Sequence, residues 1–294
     1  MDARTNPDEI ARTNPDSSPG TTALAKPRKI VLVGIDGLRI DDALTGVHAP
    51  VLSAFARAGQ LLPLEMEVPT ISGPGWSSIL TGAPHSVHGV FDNTFHGHRL
   101  DATTDFLARA SHAGHSTLAA VSWPPLADPA SAGPILTTRL DDQRAGRHRL
   151  VVRDGETYGY RMADGDIAAF TRLAIRDAGP DASFVYLGEV DEAGHLYGGV
   201  SPEYDAAVAR VDTHLGTILD AVARRVSTHD EDWLVGVTTD HGHLDEGGHG
   251  GADPVLTRSF LALGRYGSGV PFDVDSAIRI QPTDISRILL SHLG

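Results

Sequence analysis

Leu234–Gly251 reads LVGVTTDHGHLDEGGHGG. It opens with an aliphatic run, Leu234 to Val237, of the kind that forms a strand buried on both faces of a sheet. Asp240, His241, His243 and His249 then follow within ten positions, separated by glycines. Carboxylate and imidazole groups that converge at the end of a strand are the donors a borderline dication such as Zn²⁺ takes. In an open α/β sheet, the carboxyl ends of strands are where sites form. A polar, Gly-rich surface turn is the competing reading, because a chain with 15 His clusters some of them by chance.

Two further strands support the metal reading. Lys29–Gly37, KIVLVGIDG, carries five aliphatic residues and ends in Asp36-Gly37. An Asp directly after a buried strand is either a helix cap or a ligand. Ala182–Gly188, ASFVYLG, runs into Glu189-Val190-Asp191-Glu192-Ala193-Gly194-His195. Asp191 and His195 are four apart, so one helical turn sets both on one face; the alternative is an Asp cap on a helix that carries an unrelated His. Helices are expected over Pro50–Gly59, Thr104–Ala113, Gly165–Gly179, Ser201–Val226 and Pro282–Leu293, with Ser201 as cap and Pro202 at the first position of the longest. Strands are expected at Ser116–Val121 and Ser259–Leu263. This alternation predicts an α/β fold, a three-layer sandwich around a mostly parallel central sheet. Three strands that end in Asp36, Asp191 and Asp240 turn separate motifs into one site. Three carboxylates and three histidines are about the ligand set of two dications. Two dications against three carboxylates leave one positive charge, which suits a phosphate.

Pro69–Asn93, PTISGPGWSSILTGAPHSVHGVFDN, is the second strong signal. Pro74 fits the first turn of a helix, which places Ser72 and Gly73 at its cap. An ordinary N-cap serine is the commoner role. The functional reading is a nucleophile at the positive end of the helix dipole, its alkoxide stabilised by metal.

Composition bounds the rest. A chain of 294 residues with 41% hydrophobic content fits one large α/β domain and a sizeable core. There is no Cys, which excludes disulfides and thiolate ligands. No apolar run is long enough to span a membrane. The amino terminus shows no basic-then-apolar signal pattern, so the cytoplasm is the expected compartment. A net charge of -14 argues against nucleic-acid binding. Residues 1–27, in which ARTNPD occurs twice, read as a disordered tail. Residues 28–294 then form a single catalytic domain. Within it 126–165 is the least regular part, holding Arg139, Arg144, Arg147, Arg149 and Arg153, and reads as a lid, an insert or a solvated loop.

These motifs, in this order, resemble the alkaline phosphatase superfamily and, within it, the nucleotide pyrophosphatase/phosphodiesterase branch. The anchors are Val33-Gly34-Ile35-Asp36-Gly37, Pro69-Thr70-Ile71-Ser72, Thr81-Gly82 with His88-Gly89, Asp191-x-x-x-His195 and Thr239-Asp240-His241-Gly242. The resemblance covers roughly residues 29–294. It implies an alkaline phosphatase-like fold and a two-zinc site, with Mn²⁺ an alternative occupant. Asp36, Ser72, Asp240 and His241 match the ligands of one zinc. Asp191, His195 and a further histidine match the other. His249 is preferred for that last place over His243, because its flanking glycines free the backbone to turn it inward. Asn93 matches an asparagine that contacts the phosphate. The implied activity is hydrolysis of phosphoric esters, mono- or diester, through a phosphoserine on Ser72, with a phosphorylated small molecule as substrate. Ser72 stands where the branch usually carries threonine, and Thr70 is the fallback nucleophile. Gly73 stands where nucleotide-cleaving members often carry an aromatic residue that stacks on the base. Phosphonate hydrolysis or phosphoryl transfer on the same metals is the alternative chemistry. A non-catalytic, metal-stabilised binding protein is the alternative of another class, and an intact Ser72 argues against it.

Overall fold

The computed structural model describes residues 26–275 and 278–294. The expected tail, apart from Lys26 and Pro27, lies outside them. The strands are β1 (Arg28–Ile35), β2 (Gln60–Glu65), β3 (Thr117–Val121), β4 (His148–Val152), β5 (Ala182–Leu187), β6 (Asp232–Thr238) and β7 (Arg258–Tyr266). They form one sheet in the order β2-β7-β6-β1-β5-β3-β4. β1 is its middle strand, parallel to β6 on one side and β5 on the other, and β3 and β4 continue the parallel run. β7 pairs antiparallel with both β6 and β2. A sheet that is mostly parallel must be covered on both faces, and this one is.

The helices are α1 (Ile40–Thr45), α2 (Pro50–Ala58), α3 (Ser72–Thr81), α4 (His85–His88), α5 (Phe106–His112), α6 (Leu140–Arg144), α7 (Gly155–Tyr158), α8 (Tyr160–Asp177), α9 (Glu189–Tyr197), α10 (Pro202–Thr228), α11 (Pro254–Thr257) and α12 (Ile285–Leu293). Ile30 and Leu32 of β1 join a core with Trp76 and Ile79 of α3, Phe106 of α5 and Leu289 of α12. Val31, Val33 and Ile35 join the opposite core, with Phe55 of α2, Ile167 of α8 and Leu215 of α10. Apolar groups on both faces explain why the strand sequences show no alternation. α10 is capped by Ser201, whose Oγ accepts the Tyr204 N–H at 3.1 Å, with Pro202 at its first position. None of the described helices is long and apolar enough to cross a membrane.

Two local expectations need correction, and one edge strand is an addition. Residues 126–165 are more regular than expected: they hold α6, α7 and β4, which extends the sheet beside β3, and α8 begins at Tyr160 rather than Gly165. β2, absent from the expected strands, carries Pro63, which is tolerated because β2 is an edge strand. Asp191 lies not at the end of β5 but in the first turn of α9.

Candidate active site

The β1–β6 register pairs Gly34 with Thr238. Two residues further on, Asp36 and Asp240 leave adjacent parallel strands at the same level, both fully buried. His241 follows and turns its Nε2 to within 3.4 Å of Asp36 Oδ1 and 3.4 Å of Asp240 Oδ2. Its Nδ1 lies 3.0 Å from the Gly242 carbonyl, which can only accept; the proton is therefore on Nδ1 and Nε2 carries a lone pair. A lone pair facing two carboxylates is repulsive unless a cation lies among them. Asp240 Oδ2 has no hydrogen-bond partner in its buried position, which is how a metal ligand looks in the protein alone.

Ser72 opens α3, but it is not the cap. The Ile71 carbonyl accepts the Gly75 N–H at 2.9 Å, so Ile71 is the cap residue and no side chain caps the helix. The expected cap is thus one residue earlier, and the hydroxyl is released from that duty. Ser72 Oγ instead lies 3.4 Å from Asp36 Oδ1 and 3.3 Å from His241 Nε2. Asn93 Oδ1 accepts the Gly73 N–H at 2.7 Å, which leaves Nδ2 as the donor end of an exposed amide. Thr70 is occupied elsewhere: its hydroxyl donates to the Gly251 carbonyl at 2.9 Å and accepts the Gly250 N–H at 3.1 Å.

A second group adjoins the first. Asp191, His195, His243 and His249 offer ligand atoms within 4.8 Å of one another, and Asp36, Asp191 and His241 do the same, so Asp191 is common to both sets. His249 Nδ1 donates to the Thr70 carbonyl at 2.8 Å, which turns its Nε2 toward His195 Nε2 at 2.9 Å. Gly247, Gly248 and Gly250 take positive φ to make this turn; Gly251 does not. His243 is fully buried, with Nε2 2.7 Å from Asp191 Oδ1. Gly194 makes room for it: a Cβ there would come within 2.6 Å of the imidazole ring.

Two site residues escape sequence reasoning. Trp76 Nε1 donates to Asp36 Oδ2 at 2.8 Å, and the Tyr186 hydroxyl donates to the same oxygen at 2.6 Å. Together they hold Oδ1 toward Ser72 and His241. Trp76 lies four positions after Ser72, one helical turn, and that spacing is the signal that points to it.

The electrostatics agree with the geometry. Burial, and then the Asp191 carboxylate, push Asp36 up to about 6 against the hydrogen bonds of Tyr186 and Trp76. Burial, then Asp36 and Asp191, raise Asp240 well above the carboxylate range, and burial raises Asp191. Burial also holds His241 well below its ordinary value, and His243 down to about 4. Carboxylates short of positive charge beside neutral imidazoles form a donor set for cations. A bound metal fits these residues.

A family model described as type I phosphodiesterase / nucleotide pyrophosphatase matches residues 30–251. The chain belongs to this family. Human ectonucleotide pyrophosphatase/phosphodiesterase family member 1 is 24% identical over 273 residues, covering 87% of this chain and 27% of that protein. The chain spans between about a quarter and a half of the length of the curated relatives it matches. Among solved structures, inactive murine ectonucleotide pyrophosphatase/phosphodiesterase 5 in complex with AMP aligns with a TM-score of 0.57 at 21% identity, over 74% of this chain and 57% of that one. Phosphonoacetate hydrolase from Sinorhizobium meliloti 1021 aligns with a TM-score of 0.54 at 17% identity, over the same shares. These neighbours share the alkaline phosphatase-like fold.

Proposed function

We propose that this chain is a metal-dependent hydrolase of phosphoric esters that works through a phosphoserine on Ser72, with two zinc ions held by Asp36, Ser72, Asp240 and His241 and by Asp191, His195 and His249. The observation that carries this reading is the position of Ser72 Oγ, freed from capping and set within 3.4 Å of both Asp36 and His241. Bound there, the ions would lower the pKa of the serine hydroxyl and offset charge on the phosphate and on the leaving oxygen.

The remaining steps belong to the chain's own side chains. Ser72 Oγ forms a bond to phosphorus as the bond to the leaving alcohol oxygen breaks. Asn93 Nδ2 and the positive end of the α3 dipole hold non-bridging oxygens. Water then displaces the serine and frees phosphate or a monoester. Trp76 and Tyr186 keep Asp36 aimed, and Thr70 holds the loop that carries His249. His243 supports Asp191 from behind. Mn²⁺ suits the same donors. The test is a panel of p-nitrophenyl phosphate, bis-p-nitrophenyl phosphate and aryl phosphonates. Turnover of either phosphate ester above the phosphonates supports the reading. A preference for phosphonates moves the protein to C–P or phosphonate-ester chemistry, and no turnover with metal bound leaves a binding protein.

A further inference from the structure

A second meeting of histidine and carboxylate lies away from the nucleophile. A cavity of about 390 Å³ has in its wall Glu65, which ends β2, Glu67 just after it, Ser78 of α3, His85 of α4 and Gln281. Ser78 comes six residues after Ser72, about 9 Å further along α3. None of the lining residues belongs to the two ligand clusters at the carboxyl end of the sheet.

His85 is the unusual member. It is 1% exposed, yet neither ring nitrogen makes a hydrogen bond of good geometry. A buried polar atom in that state costs about 1–3 kcal/mol. His88, whose ring centroid lies 5.4 Å away, shows the contrast. Its Nδ1 accepts the Val90 N–H at 3.1 Å, so its Nε2 carries the proton and donates to Ser78 Oγ at 3.1 Å. One buried imidazole is fully used and its neighbour is not.

The groups that act on His85 are oxygens. The Glu67 carboxylate accepts the His85 backbone N–H at 3.2 Å. Burial lowers the imidazole below its ordinary pKa, against the pull of the Glu67 carboxylate and the Val68 carbonyl. The ring is therefore neutral at pH 7 and offers a lone pair. Glu65 is paired with Arg279, whereas Glu67 has no Lys or Arg partner among the described residues. Neutral imidazole, unpaired carboxylate and carbonyl oxygen form a mixed nitrogen and oxygen donor set, which suits Zn²⁺ and its first-row neighbours. The carboxylates repel an anion. Ring nitrogens closed to bulk water suit a small ion better than an organic molecule.

We infer that Glu67, the Val68 carbonyl and His85 form a further divalent-cation site, separate from the clusters around Asp36 and Asp191. The ion joins two segments. Glu67 and Val68 lie on the chain that enters α3, five and four residues before Ser72, and His85 lies on the short helix that follows α3. One ion thus ties the two flanks of the nucleophile helix together from outside the reacting centre. Because Glu67 is exposed, this site holds its ion more weakly than the buried clusters. It empties in metal-free buffer and is read at equilibrium with free zinc.

Zinc alone is the probe. The full chain, stripped with a chelator, is brought to equilibrium dialysis against rising zinc, and bound zinc per chain is measured. Wild type should bind one ion more than either His85→Gln or Glu67→Gln. The affinity of that ion should fall at least tenfold in each variant, since losing a ligand costs no less than losing a partner that supports one. Glu67→Gln keeps an amide oxygen for the His85 N–H, and circular dichroism melting verifies that each variant is folded. Equal zinc in wild type and a folded variant overturns the inference. So does a variant that loses two or more ions, because the site is then not separate. The difference is independent of the metal pair proposed above. Three ions against two supports both assignments, and one against none supports this site while the pair fails.

Discussion

The two ends of the same sheet both bury charge, and they do so in opposite ways. At the amino ends of β1, β5 and β6, Lys29 pairs with Asp181 at 2.8 Å, Arg225 grips Glu231 at 2.7 Å, and Arg265 holds Asp232. Three cations meet three carboxylates. Burial pushes these acids up, but the hydrogen bonds from Lys29, Arg225 and Arg265, with Ser116 and Trp233, outweigh it and hold all three below the usual carboxylate range. At the carboxyl end, Asp36, Asp191 and Asp240 have no such lysine or arginine, and all three are pushed up. One end is electrically complete and structural. The other is short of positive charge, and that deficit, more than the presence of ligand-type residues, marks it as the candidate metal site.

The largest effect expected from this contrast is on catalysis. Ser72→Ala should lower turnover on the order of 10³-fold or more, since the covalent step is lost. Fold and metal content should persist, because six ligands remain and Ser72 caps nothing. Rate and melting temperature are measured on the same variant. A rate that survives would make Ser72 a bystander and hand the attack to water.

The opposite end should respond in stability instead. Glu231→Gln leaves Arg225 buried with half its partner and should cost about 3 kcal/mol, read by chemical denaturation with turnover little changed. A cost near zero would remove the distinction between the two ends.

Much of this was legible in sequence, and for identifiable reasons. Asp36, Asp240 and His241 stood out because they closely follow aliphatic strands, and Asp191 because of its four-residue spacing to His195. The long amphipathic helix announced itself through Ser201-Pro202. The missing pieces lack such marks. β4 is short and set among arginines and glycines, and β2 contains Pro63. Tyr186 reads as one more core residue of a buried strand, and only the third dimension shows its hydroxyl on Asp36. Thr70 looked like a second nucleophile because sequence does not show that its hydroxyl is spent on Gly250 and Gly251.

A pH series sharpens the contrast further. His148 lies at the same structural end as Lys29, with Arg139 Nη2 donating to its Nδ1 at 2.9 Å. Burial, then Arg139, lower it to about 4 from the ordinary 6.5. The unfolded chain takes up that proton below pH 6.5 and the folded chain does not until about pH 4. Its contribution is therefore complete above 6.5 and lost as pH falls through 4, on the order of 3 kcal/mol. His148→Gln should flatten this part of the stability profile; an unchanged profile assigns the acid sensitivity elsewhere.

The smallest effect has the opposite sign. In metal-free protein, Asp240→Asn removes a buried carboxylate that lacks a cation and should raise stability by about 1 kcal/mol. Destabilisation there would show that the carboxyl end is not short of positive charge.

Metal content tests the central claim most directly. Active protein, dialysed against metal-free buffer and analysed for elements, should carry about two zinc ions per chain, and their removal by a chelator should abolish turnover. Active protein with no metal, or with magnesium alone, would contradict it.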